Sequence, residues 1–515
     1  MEKNTSSLEK KNKMPTVKQF VIFFTVFFAC NLFIILVLGA ASGGSAWTSM
    51  LFHNGSTTDT FMDFLNSIRD ASSDDVYTER NVIYPPLSNL IFRLLSKLIS
   101  PDLAATQFSQ RKLLLLDRVS MMIYFLFAVV CILSMLRIIE SYANIKSKGK
   151  MKIYASIISF LMIISYPVVY CLERGNITIL CIVLATFFLL FKDSESKVVR
   201  ELSYIALALS AGIKLYPALF GLTLIIEKKY KEAARLVGYG VIAVVVPMLF
   251  FVDFSAEEAS VSAQIFTTLK LNLSVLSSDA EESSSVVVNL IQNLLSFATK
   301  KSSFNLSCVS IQNIVFLIFG SDTTLATMMI GVTEIIALIM AFFAKKEWQK
   351  LFFLCYIILN IPSASSSYAL GFLMAPMVVL LFNSGSFRKR DWVYIVCFAL
   401  LFAPLPTLWY YHPEVVTSIF DKIGYSYNSK LNQCIATYVF QFMFVFLTVD
   451  ALTYSPKKKS KKKMAALSAA SEGAVGTDVL AADDVNAAAQ ENDNTAPGAE
   501  TDVNPNVESG KDNEA

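Results

Sequence analysis

Four polar groupings interrupt a chain that is otherwise mostly apolar. The first is centred on Asp63, in Phe61-Met62-Asp63-Phe64-Leu65-Asn66. A carboxylate is suited to take the proton of a hydroxyl as that hydroxyl attacks, the work of a general base. Phe61, Phe64, Leu65 and Ile68 recur at helical spacing, which predicts an apolar stripe lying on a membrane surface. Asp63, Asn66, Ser67 and Asp70 fall on the opposite face. Asp63 would then be held near lipid but turned toward a polar substrate; a plain solvated face carries the same pattern.

The second grouping is Glu173-Arg174-Gly175-Asn176. The planar, multi-donor guanidinium of Arg174 suits an anionic headgroup or phosphate, although an arginine paired with its neighbour reads the same way. The third is Lys214, in Ala211-Gly212-Ile213-Lys214-Leu215-Tyr216-Pro217, a basic residue set well inside an apolar run. An ionisable group at membrane depth is a functional candidate by default, with a snorkelling lysine as the alternative. The fourth runs from Asn360 through Ser363, Ser365, Ser366 and Ser367 to Tyr368, a polar turn that offers hydroxyls to a sugar or merely satisfies helix ends.

The elements that must position these groups are membrane spans. Of 515 residues 54% are hydrophobic and 17% charged, with 40 Phe and a mean hydropathy of +0.53. Apolar runs of about 20 residues recur, the length that crosses a hydrocarbon core. The chain is read as an all-α polytopic membrane protein. Its net charge of +3 conceals an asymmetry: residues 464–515 carry eleven acidic groups, one lysine and no aromatic residue. A segment of that composition cannot bury enough apolar area to fold, so a disordered tail is expected. Six cysteines lie inside apolar runs; only Cys308 and Cys434 are placed to face an oxidising outside, where a disulfide between them is one option. Without a CxxC pair and with only His53 and His412, no His/Cys metal site suggests itself.

Lysine and arginine kept on the cytoplasmic side set the threading. Lys3, Lys10, Lys11, Lys13 and Lys18 hold the amino end inside while 19–40 crosses outward. Spans at 118–139, 153–171, 176–191, the hairpin 202–226, 237–252, 324–344, 351–362, 368–382, 391–409 and 433–452 then place every basic cluster on one side. This gives about twelve crossings with both termini cytoplasmic, and puts all four polar groupings outside. If 85–99 were a full span, the cluster Lys146–Lys152 would land outside, and Arg93 and Lys97 would lie in hydrocarbon. Pro85–Ser100 is therefore expected to be a re-entrant or interfacial helix on the outer side, lining a cavity. The expected organisation is a cytoplasmic 1–18, a transmembrane domain 19–454 with outer loops 41–117 and 253–322, and a basic then acidic cytoplasmic tail 455–515.

The order of an outer aspartate, Tyr84-Pro85-Pro86-Leu87, Arg174-Gly175-Asn176 and Lys214-Leu215-Tyr216-Pro217 resembles glycosyltransferase family 87, over roughly residues 18–240. These are membrane enzymes of the GT-C class that use polyprenyl-phosphate sugars. The resemblance implies a GT-C-like helical bundle and a catalytic role for Asp63. Tyr84, Arg174, Asn176, Lys214 and Tyr368 are the expected substrate-binding residues. Two departures stand out. Met62 and Asn66 replace residues common around the family's aspartate, and Ser365, Ser366, Ser367 and Tyr368 stand where many members carry a histidine.

The resemblance implies a hexosyltransferase of the plasma membrane. It would move a hexose, mannose among the candidates, from a polyprenyl-phosphate donor to an envelope glycolipid or polysaccharide acceptor on the outer face, with inversion. A monophosphate donor removes the usual need for a metal, so no cofactor is expected; the expected partners are the lipid-linked donor, the acceptor and membrane lipids, not nucleic acid. An envelope polysaccharide polymerase or ligase, or a lipid-linked sugar flippase, remains the alternative. Transporters tend to place charge at the midplane of repeated halves, which is not seen here.

Overall fold

The structure, a computed structural model, describes residues 14–44, 47, 59–73, 76–77, 82, 84–104, 112–252, 310–311, 314–315, 323–360, 367–383, 387–405 and 431–453. His53, Cys308, His412, residues 361–366, most of 253–322 and the 455–515 tail lie outside these, as does the side chain of Cys434. Among the described residues every regular element is helical.

The first helix, α1 (Val17–Ala41), opens on a reciprocal cap: Thr16 Oγ1 accepts the Gln19 amide and Gln19 Oε1 accepts the Thr16 amide at 2.9 Å. Phe20, Phe24 and Phe28 form its buried row, while Ile22, Val26 and Phe33 are exposed. Next come α2 (Met62–Ala71), α3 (Pro86–Ser96) and the long α4 (Arg118–Ser147), capped by Asp117, which accepts the Ser120 amide at 2.7 Å. Tyr124, Ala128, Cys131, Met135 and Ile139 line the buried side of α4, and Met122, Leu126, Val129 and Leu133 are exposed. Helices that are apolar on both faces suit hydrocarbon on one side and protein on the other.

The segment expected to cross as 153–171 is bent. It forms α5 (Lys152–Ile163) and α6 (Tyr166–Arg174), which meet at 44°. Pro167 is tolerated in the first turn of α6, whereas inside a continuous α5 it would cost a backbone hydrogen bond and favour a kink. Further along lie α7 (Thr178–Phe191), α8 (Lys197–Ile213), a 3-10 turn Tyr216–Gly221 and α9 (Tyr230–Met248). The last part comprises α10 (Thr323–Phe343), α11 (Glu347–Asn360), a 3-10 turn Ser367–Leu373, α12 (Met374–Asn383), α13 (Asp391–Phe402) and α14 (Leu431–Thr453). By length and apolarity four of the described helices can cross a membrane alone, and the bent pair makes a fifth. Five other apolar helices of 10–17 residues are shorter, so the described residues do not reach the expected twelve crossings.

The stripe on α2 also departs from expectation. Phe64, Leu65 and Ile68 are at most 1% exposed, inside the protein instead of against lipid. The Phe64 ring lies 5.3 Å from Phe92 on α3, 5.3 Å from Tyr124 and 5.2 Å from Phe127 on α4. Phe61 stands outside the helix with a left-handed backbone, φ 62°. An apolar stripe requires a cover, and aromatic helices supply one as readily as lipid does.

At the helix ends opposite Asp63, ion pairs tie several loops together. Lys192, at the end of α7, meets Asp193 at 2.6 Å, Glu227, and Glu347 of α11 at 3.9 Å. Lys229 meets Glu227 at 2.6 Å and Asp193. In a separate set of ion pairs, Arg388 meets Asp450 of α14 at 2.5 Å and Asp391 of α13 at 3.1 Å. Burial alone would push the Asp193 carboxyl up; Lys192 and Lys229 outweigh it and hold it below the ordinary 3.8. A lowered folded pKa contributes stability above the unfolded value and loses it as pH falls through the folded one. Wild type is therefore expected to exceed Asp193→Asn in Tm at pH 6, with the gap closing below about pH 3.8; thermal unfolding across that range checks it.

Candidate active site

Asp63 is the second residue of α2, and the chain entering that helix is docked on the end of α6. Thr60 Oγ1 donates to Glu173 Oε1 at 3.2 Å, and the Phe61 amide donates to the Glu173 carbonyl at 2.7 Å. Gly175 caps α6 with φ 67°, and a Cβ there would lie 2.8 Å from the Phe61 carbonyl oxygen. Only glycine meets both conditions, the left-handed backbone and the close approach.

This docking brings Asp63 into the polar end of α6. Arg174 donates from Nη2 to Asp63 Oδ1, and from Nε to Oδ2 at 3.3 Å. Asn176 Nδ2 donates to Oδ2 at 2.8 Å. The Asn176 amide cannot flip, because its Oδ1 already accepts the Thr178 amide at 3.0 Å and the Thr178 hydroxyl at 2.5 Å. An ionised carboxylate has about four lone-pair positions. Among the described residues three are used, which leaves one on Oδ1 for an incoming hydroxyl.

Lys214 comes from a separate helix. It is the extended residue that ends α8, and Gly212 just before it lets Leu87 of α3 and the Ala243 carbonyl of α9 pack closely. Its ammonium sits 5.4 Å from the ring centre of Tyr84, 5.5 Å from Tyr368 and 6.0 Å from Tyr216. Ring faces stabilise a partly desolvated cation by about 0.5–2 kcal/mol each. Among the described residues Lys214 makes no ion pair, and it lies within electrostatic reach of Asp63.

The tyrosines are themselves held. The Tyr84 carbonyl accepts the Tyr77 hydroxyl and Asn89 Nδ2, each at 3.1 Å, and Asn89 Nδ2 also donates to the Tyr77 hydroxyl at 2.9 Å. Tyr368 stacks on Tyr170 at 6.2 Å, and Tyr170 on Tyr166 at 5.7 Å. Burial first, then the Asp63 charge, pushes the Tyr84 hydroxyl above its ordinary range, so it enters as a neutral donor.

Asp63, Tyr84, Arg174, Asn176, Lys214 and Tyr368 are thus brought to one place from five separate segments. Arg174 spends its fork on Asp63, and the turn residues Ser365 and Ser366 lie outside the described residues. Sequence reasoning passed over the Thr60–Glu173 clamp, Asp59, Tyr77, Tyr170 and Tyr216. Tyr216 sits in the Lys-Leu-Tyr-Pro motif, and Asp59 stands four residues before Asp63; Tyr77 and Tyr170 carry no local signal. Among the described residues no three His, Cys, Asp or Glu side chains gather where they could hold a metal ion.

One comparison with known proteins bears on this geometry. The family model of glycosyltransferase family 87 matches residues 82–298, the same family that the sequence motifs resemble. The matched residues include Tyr84, Arg174, Asn176 and Lys214; Asp63 precedes them and Tyr368 follows. No curated protein and no solved structure matches the chain. Together with the apolar helices, the match points to a membrane glycosyltransferase.

Proposed function

We propose, with the family 87 match as premise, that the protein is a hexosyltransferase of the plasma membrane working on its outer face. The donor is a polyprenyl-phosphate hexose, mannose among the candidates, and the acceptor an envelope glycolipid or polysaccharide. The observation that carries this reading is a pairing of opposites. A lysine ringed by tyrosines, with no carboxylate partner among the described residues, lies within electrostatic reach of an aspartate that has one oxygen position open among them. A partly buried cation without a counter-ion is costly, and an arriving phosphate relieves that cost.

The chemistry follows from the charges. The acceptor hydroxyl gives its proton to Asp63 Oδ1 as its oxygen attacks the anomeric carbon, and the bond from that carbon to the phosphate oxygen breaks on the far side. Inversion is the result. The departing polyprenyl phosphate gains one negative charge, which Lys214 and the Tyr84 hydroxyl are placed to meet. Arg174, read from sequence as a phosphate ligand, is better used in holding Asp63 with Asn176. Lys214→Met is expected to raise the KM for the donor about tenfold or more while leaving the acceptor KM within twofold. Steady-state kinetics with each substrate varied in turn checks this; an acceptor-only effect would remove Lys214 from the donor site.

A further inference from the structure

Arg174 forms ion pairs with two carboxylates, of which proton transfer uses one. Its Nη2 and Nε are spent on Asp63; its Nη1 is buried, makes no hydrogen bond among the described residues, and lies 3.7 Å from Asp59 Oδ2. That separation is an ion pair beyond hydrogen-bond range. Asp59 and Asp63 both reach the guanidinium because the turn between them is pinned at its middle. Thr60 and the Phe61 amide are bonded to Glu173, and Phe61 takes a left-handed backbone. Two carboxylates against one guanidinium leave this trio with a net negative charge. Asp59 is also its most open member, with 30% of its side chain exposed against 19% for Asp63 and 16% for Arg174.

We propose that Asp59 is an acceptor-binding residue, gripping a hydroxyl next to the one that Asp63 activates. This rests on the transferase reading. The charge distribution decides between the two substrates. The donor carries an anionic phosphate, which Asp59 repels and Lys214 attracts. The acceptor's reacting end is a sugar whose hydroxyls donate, and carboxylates are the strongest neutral-pH acceptors a protein has for such donors. Arg174, clamped by Asp63 and Asn176, serves as the fixed bar from which both carboxylates are spaced. Neighbouring hydroxyls on one sugar ring can then engage the two carboxylates together, and this orients the attacking oxygen.

The test uses the full-length protein in lipid nanodiscs, with decaprenyl-phosphate [14C]mannose as donor. The acceptors are octyl mannosides, intact or with one hydroxyl at a time replaced by hydrogen. Asp59→Asn is expected to raise the acceptor KM about tenfold, with kcat within threefold and donor KM unchanged. One deoxy acceptor should be penalised in wild type and no longer penalised in Asp59→Asn, because the variant has already lost that contact. Asp59→Glu, which keeps the charge, should recover acceptor KM to within threefold and so separates this role from misfolding. If wild type transfers mannose but Asp59→Asn lowers kcat alone, raises donor KM equally, or leaves every deoxy penalty intact, the assignment of Asp59 is overturned. If wild type neither transfers nor hydrolyses the donor, the transferase reading fails and this inference falls with it.

Discussion

Asp63→Asn is expected to cut sugar transfer by about 10²–10⁴-fold, the range that a positioned general base contributes. An amide cannot take the acceptor proton. It also keeps one acceptor oxygen where the carboxylate had two, so Arg174 and Asn176 cannot both be satisfied as they are now. Arg174, only 16% exposed, would lose its principal counter-ion, which predicts a lower Tm as well. Lys214 and its tyrosines are untouched, so donor affinity should stay within threefold. Turnover, donor binding and thermal unfolding measured on the same preparation separate these effects. A variant that keeps more than about a third of wild-type turnover would remove Asp63 from the chemistry.

Gly175→Ala ranks next. The substituted residue would hold a left-handed backbone at a cost of about 1–3 kcal/mol. Its Cβ would also press on a backbone carbonyl, that of Phe61, from 2.8 Å away. A flexible side chain could swing aside; a carbonyl already tied into the turn that presents Asp63 cannot. The docking of 59–63 on α6 should open by a fraction of an ångström or more. Displacement on that scale is expected to cost about a hundredfold in kcat, since a reacting group misplaced by about 1 Å loses that much. A change confined to stability, with kcat preserved, would show that the docking does not set the position of Asp63.

The polar groupings were legible because each is chemically out of place. Lys214 lies in an apolar run, Arg174 and Asn176 fall between two spans, and Tyr84 precedes a Pro-Pro pair. Spacing and hydropathy single them out one by one. Their mutual placement was harder to read, since Asp63 meets Arg174 and Asn176 across more than a hundred residues and no periodicity encodes such a contact. The same limit hid the Thr60–Glu173 clamp and the dual use of Arg174, which sequence assigned to an anion and the structure pairs with Asp63. The stripe of Phe64, Leu65 and Ile68 shows an apolar face that needs a cover; the pattern places it against lipid, whereas it lies against protein. Hydrocarbon and a protein interior are equally apolar, so pattern alone cannot tell Phe92 and Tyr124 from lipid. The bend between α5 and α6 does have a signal in the sequence, Pro167, set within an apolar run whose length reads as one span. At the other helix ends, Lys192 reads as one more loop lysine, yet its side chain is 1% exposed within carboxylates from three segments.

The most direct measurement of the central claim is the product formed by purified protein in nanodiscs from an α- or β-linked decaprenyl-phosphate mannose and an octyl mannoside, with its anomeric configuration read by NMR. One displacement with Asp63 as base predicts transfer that depends on Asp63 and gives the configuration opposite to that of the donor. Retained configuration, or transfer that survives in Asp63→Asn, would contradict it.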